Sequence, residues 1–359
     1  MSLIVLVSGA DPLLGYDADP TQVSVSGLGG GAYMAVQVQV AYSSRIMGAG
    51  TLAGGPYHCA QGSTLKAVGE CSDEPEKIVL DDLIAFTYEA EASGDIDPVS
   101  NLADDHVYLF SGTLDTTVVQ GVVKQLESYY TEFIPLSQIA TKYDVAADFA
   151  MITEHYGNAC DTSRTPYIND CDLPEAFNLL NQIYGNLQEP LSYGGVLSGQ
   201  LLEFDQTELE PSGVGTSSLD DTGYIYVPDK CNDYAGCKVH IVFHGCDQGR
   251  EVLVDEFALN SGYNEVADLN NIIVVYPQAV SSIGNTRGCF DWWGYTNASY
   301  DLKSGRQMEF VKNIIDRVVS VYGICEVMES QLVHYQCVLP EPEPTLPVVS
   351  TTCIPRPAV

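Results

Sequence analysis

Strand-like and helix-like stretches alternate along these 359 residues, which predicts an α/β fold: a mostly parallel sheet, helices on both faces, one domain. Residues 23–40 pass from an apolar alternation through a glycine turn into a helical repeat, and 238–243 and 272–276 read as fully buried strands. In order, Val23-Ser24-Val25-Ser26 is the first strand, Gly27-Leu28-Gly29-Gly30-Gly31 is the turn, and Tyr33, Val36 and Val40 recur at helical spacing. Strands follow at 46–53, 106–110 and 142–147, then at 224–227, 238–243 and 272–276. Met308, Val311, Ile315, Val318 and Tyr322 form the apolar face of a last helix that ends near Gly323. Beyond it, Pro340, Pro342, Pro344 and Pro347 with Glu341 and Glu343 make 325–359 an extended, solvated tail.

The strand–turn–helix of 23–40 has the build of a nucleophile elbow. In α/β-hydrolases that turn reads Gly-x-Ser-x-Gly, and the strained bend lifts the serine hydroxyl above the sheet. Here the central position is Gly29, which has nothing to attack with. Val-Ser-Val-Ser-Gly-Leu followed by Gly-Ala-Tyr-Met-Ala-Val-Gln resembles secreted poly(3-hydroxybutyrate) depolymerases, which carry Gly-Leu-Ser-Ser-Gly-Gly-Tyr-Met at this place. Ala53-Gly54-Gly55-Pro56-Tyr57 with Cys59, residues 112–117, Thr165-Pro166-Tyr167-Ile168, Phe243-His244-Gly245-Cys246-Asp247-Gln248 and Gly288-Cys289-Phe290-Asp291-Trp292 extend the resemblance across 12–323. The His-Gly-Cys strand follows the elbow instead of preceding it. Joining Gly323 to Tyr16 restores the usual order, so the resemblance implies a circularly permuted α/β-hydrolase domain over 12–324. Such a permutation requires the two ends of the domain to meet at the surface.

The resemblance assigns roles position by position. Acyl transfer needs a nucleophile, a base, a carboxylate that orients the base, and donors for the oxyanion. Asp115 stands at the triad acid; as a lone residue it would more often be an N-cap, and the motif context favours the acid. Anchored on Ile152-Thr153 and Cys160, the histidine position holds Phe149, which cannot accept a proton. His155, further along the same stretch, is a solvated histidine or a substitute base. The backbone N–H groups of Gly30 and Cys246 are the expected oxyanion donors, and His244 is structural. Ser26 lies along the strand, off the bend, and is a poor substitute nucleophile. Trp292, Trp293 and Tyr295 resemble the family's aromatic crevice, although clustered aromatics are as often core.

Forty-eight acidic residues against fifteen basic ones give a net charge of −33, which repels phosphate backbones and anionic lipid. No stretch has the length of a membrane-spanning helix. Eleven cysteines point to an oxidising compartment outside the cell. Close spacing couples Cys59 with Cys71, Cys160 with Cys171, and Cys231 with Cys237; the resemblance brings Cys246 to Cys289. Sequence does not fix connectivity. Cys325, Cys337 and Cys353 are left in the tail, and residues 1–11 are read as the remnant of an export signal. No metal motif occurs, and Asn297-Ala298-Ser299 is a glycosylation acceptor. Gly27-x-Gly29-x-x-Ala32 matches a dinucleotide fingerprint, but no acid lies in 47–55 to bind a ribose, so no cofactor is expected.

The expectation is therefore a secreted, monomeric, depolymerase-like pseudoenzyme that retains a crevice for polyhydroxyalkanoate or another apolar polymer. An active polyester or short-chain esterase using an unorthodox residue is the alternative. A ligand-free structural protein is the third.

Overall fold

The computed structural model describes residues 9–211, 217–232 and 236–321. Its strands are β1 (Asp11–Pro12), β2 (Val23–Leu28), β3 (Gly48–Leu52), β4 (His106–Phe110), β5 (Ile139–Lys142), β6 (Met151–Thr153), β7 (Asn158–Ala159), β8 (Ile168–Asp170), β9 (Gln200–Asp205), β10 (Thr222–Val227), β11 (Lys238–Phe243) and β12 (Ile272–Tyr276). The α-helices are α1 (Gly30–Ala41), α2 (Thr64–Val68), α3 (Leu80–Ser93), α4 (Gln120–Tyr130), α5 (Glu175–Tyr184), α6 (Arg250–Leu253), α7 (Glu256–Asn260), α8 (Tyr263–Asn270) and α9 (Arg306–Val319).

Nine strands form one sheet in the order β1-β9-β10-β12-β11-β2-β3-β4-β5. From β12 through β5 all neighbours are parallel, while β10 runs antiparallel to β9 and β12. Every residue of β2, β3 and β12 is buried, as expected of central parallel strands covered on both faces. Helix α1 packs on β2 and β3 with α9 beside it, and α5 packs on β3 and β4 with α8 beside it. This is the α/β-hydrolase arrangement in one domain.

One expected strand is misplaced. The alternation in 142–147 suggested a strand, but the ladder beside β4 is β5, which ends at Lys142. Residues 142–147 run alongside the loop after β4 and accept its amides: Ser111 donates to Lys142, Thr113 to Val145 and Leu114 to Ala147. The alternation buries side chains under a loop rather than in a sheet. The short three-stranded sheet β6-β8-β7 had no strand-length signal at all.

The two ends of the domain meet. Tyr16 donates to the Val318 carbonyl at 3.0 Å and Asp17 to Ser320 at 3.1 Å, while the Arg317 guanidinium reaches the Leu13 carbonyl at 2.8 Å. Strand β11 pairs with β2 in parallel although it follows it in the chain, which is the permuted order. All four expected disulfides form: Cys59–Cys71, Cys160–Cys171, Cys231–Cys237 and Cys246–Cys289. No helix among the described residues is long and apolar enough to cross a membrane. The tail 325–359, the expected helix end at Tyr322 and Gly323, and residues 1–8 lie outside the described residues.

Candidate active site

The elbow is built as the motif requires. Gly29 has φ 53° and ψ −117°, a bend that side chains rarely adopt, and its N–H donates to the Leu52 carbonyl at 2.9 Å. Helix α1 starts at once and passes close over β11: a Cβ on Gly31 would stand 2.1 Å from the Phe243 carbonyl oxygen. Only glycine fits that crossing.

A ring stands over the bend. A Cβ on Gly29 would lie 2.6 Å from Cζ of Phe149 and 3.0 Å from its Cε2. Phe149 is buried at 8 % exposure and meets Tyr167 edge-on, ring centroids 6.0 Å apart and planes at 76°. Positions 29 and 149 are thus in direct steric register across the bend. Gly29 and Phe149 fill each other's space.

The Cβ position of Gly30 is 3.1 Å from Sγ of Cys246 and 3.2 Å from Nε1 of Trp292, so the loop after β11 and the tryptophan both abut the start of α1. The first N–H groups of a helix have no partner inside it, and no side chain caps α1. Asp115 is 7 % exposed and accepts the N–H groups of Thr117 at 2.8 Å and Val118 at 2.9 Å. Burial, reinforced by the neighbouring Asp148 charge, raises its carboxyl to about 6 against the pull of those two donors. Among the described residues no cation pairs with it.

The substitute candidates do not assemble. His155 is exposed, its ring 5.6 Å from that of Tyr193 and its Nε2 against Gly194, on a different turn from the elbow. His244 is held by the Gly245 carbonyl on Nδ1 at 2.7 Å and by the Ala279 N–H on Nε2 at 3.1 Å; burial lowers it to about 4, so it is neutral. Ser26 is fully buried and contacts Nε2 of His240 at 2.7 Å and the Tyr263 hydroxyl at 2.8 Å. Nδ1 of His240 meets Ser24 at 2.7 Å, and burial pulls that imidazole down to about 3. This serine–histidine chain was not foreseen; it lies inside the sheet, where no ester can reach.

Of the aromatics, Trp292 stacks on Tyr33 with centroids 4.2 Å apart and planes at 12°, and Trp293 meets it edge-on at 5.5 Å. Both are half-buried. Tyr295 is pinned: its hydroxyl donates to the Cys289 carbonyl at 2.7 Å and accepts from Gln307 Nε2 at 3.0 Å. Asn297 is half-buried and its Oδ1 accepts the Ser299 N–H at 3.0 Å.

No protein-family model matches the chain. A poly(3-hydroxybutyrate) depolymerase from Delftia acidovorans is 44% identical over 308 residues, which are 85% of this chain and 61% of that protein. A polyhydroxybutyrate depolymerase from Talaromyces funiculosus is 33% identical over 327 residues, 87% of this chain and 93% of that protein. The chain belongs to the poly(3-hydroxybutyrate) depolymerase family. It spans about three-fifths of the Delftia protein's length, 61%. Among solved structures, a PHB depolymerase complexed with an R3HB trimer superposes with a TM-score of 0.79 at 32% identity, covering 86% of this chain and 98% of that one. PHB depolymerase from Penicillium funiculosum gives 0.78 at 31% identity over the same shares. This depolymerase-family member keeps the family's fold and carries Gly29 at the bend between β2 and α1.

Proposed function

We propose that the chain is a non-catalytic, extracellular polyester-binding member of the depolymerase family. The observation that carries this reading is the Phe149 ring, which stands 2.6 Å from where a side chain at position 29 would begin. A hydroxyl at 29 and an imidazole at 149 are the two groups that make and receive the proton in acyl transfer. In a serine protease, removing either one alone lowers turnover about a million-fold. Here both are gone, and His155 supports no esterase reading because it stacks on Tyr193 away from the elbow.

What remains is suited to holding an acyl chain. Gly30 and Cys246 carry the backbone N–H groups that the family resemblance assigns to the oxyanion, and half-buried Trp292 lies against Gly30 with Trp293 beside it, a combination suited to carbonyls and apolar spacers together. The relatives named for poly(3-hydroxybutyrate) make polyhydroxyalkanoate the favoured ligand. The four disulfides support a location outside the cell.

The test is co-sedimentation with amorphous poly(3-hydroxybutyrate) particles, run alongside clearing of a film of the same polymer. The proposal expects pelleting without clearing. Clearing refutes the loss of catalysis, and failure to pellet refutes the ligand.

A further inference from the structure

His58 adopts φ 59°, a region that non-glycine residues seldom enter, so its surroundings must hold it there. They do so on two sides. Its ring lies flat on Phe86 of α3, centroids 3.4 Å apart and planes at 7°. Its Nδ1 meets Oδ2 of Asp301 at 2.6 Å. Asp301 is 1% exposed, and a carboxylate that deep requires a partner; the ion pair found for it is the one with His58. The adjacent Tyr57 hydroxyl donates to the Asp301 carbonyl at 2.8 Å, a second tie between the same two segments.

Those segments are the two sides of the aromatic wall. Cys59 and Ala60, next to His58, join Tyr33, Ala67 and Cys71 in a small apolar cluster on which Trp292 and Trp293 rest. Asp301 closes the loop that carries the two indoles. Within that loop the Asp291 carboxylate accepts the N–H groups of Gly294 at 2.7 Å, Tyr295 at 3.0 Å and Thr296 at 2.8 Å. The loop is thus braced from within, and the His58–Asp301 contact ties it to the segment behind the wall.

We infer that His58 is a positioning residue: through Asp301 it fixes Trp292 and Trp293 in the orientation that receives the polymer. This rests on the binding reading above, but its test does not. Trp292 and Trp293 are the chain's two tryptophans, so tryptophan emission, excited selectively over the 22 tyrosines, reports on this wall. His58→Ala removes both the ring stack and the Nδ1 donor. His58→Asn keeps a donor near the Nδ1 position and tolerates positive φ. Asp301→Asn keeps the volume and removes the charge.

In the disulfide-intact protein, with fold checked by far-ultraviolet circular dichroism, His58→Ala and Asp301→Asn shift the tryptophan emission to the red and raise acrylamide quenching. His58→Asn stays near wild type. Affinity for amorphous poly(3-hydroxybutyrate) particles falls about tenfold in His58→Ala and recovers in His58→Asn. Unchanged emission and quenching in both His58→Ala and Asp301→Asn overturn the inference. So does a wild-type protein that binds the particles with the same affinity as a folded His58→Ala. If the wild type does not bind, the polymer reading fails, and the emission data alone decide the role of His58.

Discussion

Returning serine to the elbow tests the steric register of Gly29 and Phe149. Gly29→Ser places a Cβ 2.6 Å from Cζ and 3.0 Å from Cε2 of the ring, well inside an ordinary contact. Phe149 has little room to yield, being 8 % exposed and edge-on to Tyr167. Forcing extra atoms into such packing costs about 1–3 kcal/mol. The φ 53°, ψ −117° bend, free for glycine, adds about 1–3 kcal/mol for any side chain. Gly29→Ser should therefore destabilise by roughly 2–6 kcal/mol in total. In a Phe149→His background the packing part shrinks and the backbone part stays. A double-mutant cycle, read by denaturant unfolding with the disulfides intact, should give a coupling of about 1–3 kcal/mol between the two sites. Additive effects, or a Gly29→Ser protein as stable as wild type, refute the argument that the ring fills the vacated space.

Three further outcomes follow from the site. Asp115, raised to about 6, favours its protonated form in the fold; that stability is present below the unfolded value of about 3.9 and is lost as pH rises through about 6. Asp115→Asn, which can keep the Thr117 and Val118 bonds, should gain up to about 3 kcal/mol on wild type between pH 4 and pH 8 in unfolding titrations; an equal difference at both pH values contradicts this. Peptide mapping without reduction should recover the four bridges, and reduction should lower the melting point, each native bridge being worth about 2–5 kcal/mol in small secreted domains; a free Cys246 thiol would break the link between the β11 turn and the tryptophan loop. Trp292→Ala should weaken pelleting with polyester particles by more than about 1 kcal/mol, and high salt should not release the wild type, because a chain of net charge −33 gains no attraction from a neutral polymer. Equal pelleting of Trp292→Ala and wild type places the indole in the core.

The centre of the sheet is legible where strands buried on both faces read as apolar runs, as in Ile272–Tyr276, and where they alternate, as in Val23-Ser24-Val25-Ser26, although there the serines are buried too. The glycines of the elbow mark the turn because the α1–β11 crossing excludes any side chain at Gly31. Strands of two or three residues, such as Asn158–Ala159, are too short to show a period. Strand β9 is exposed at half of its residues, and its adjacent Leu201 and Leu202 give no clean alternation. In 142–147 the alternation was real, and the loop after β4 took the place of a neighbouring strand. At the site, Gly29 and Phe149 were each recognisable by position. That one fills the space of the other is a contact across the fold, and no local pattern encodes it. His240 was missed for a similar reason: within Lys238–Phe243 it is one polar residue in an apolar run, and its partners Ser24 and Ser26 are on a strand distant in sequence.

Loss of catalysis is tested most directly by steady-state hydrolysis of p-nitrophenyl butyrate, comparing the chain with its Gly29→Ser/Phe149→His double variant. The account predicts no turnover above the buffer rate for the chain. It predicts measurable, saturable turnover for the double variant, in which a serine and an imidazole would occupy the two positions that meet across the bend. Saturable turnover by the unaltered chain that disappears in His155→Ala would contradict the account and establish an esterase with a displaced base.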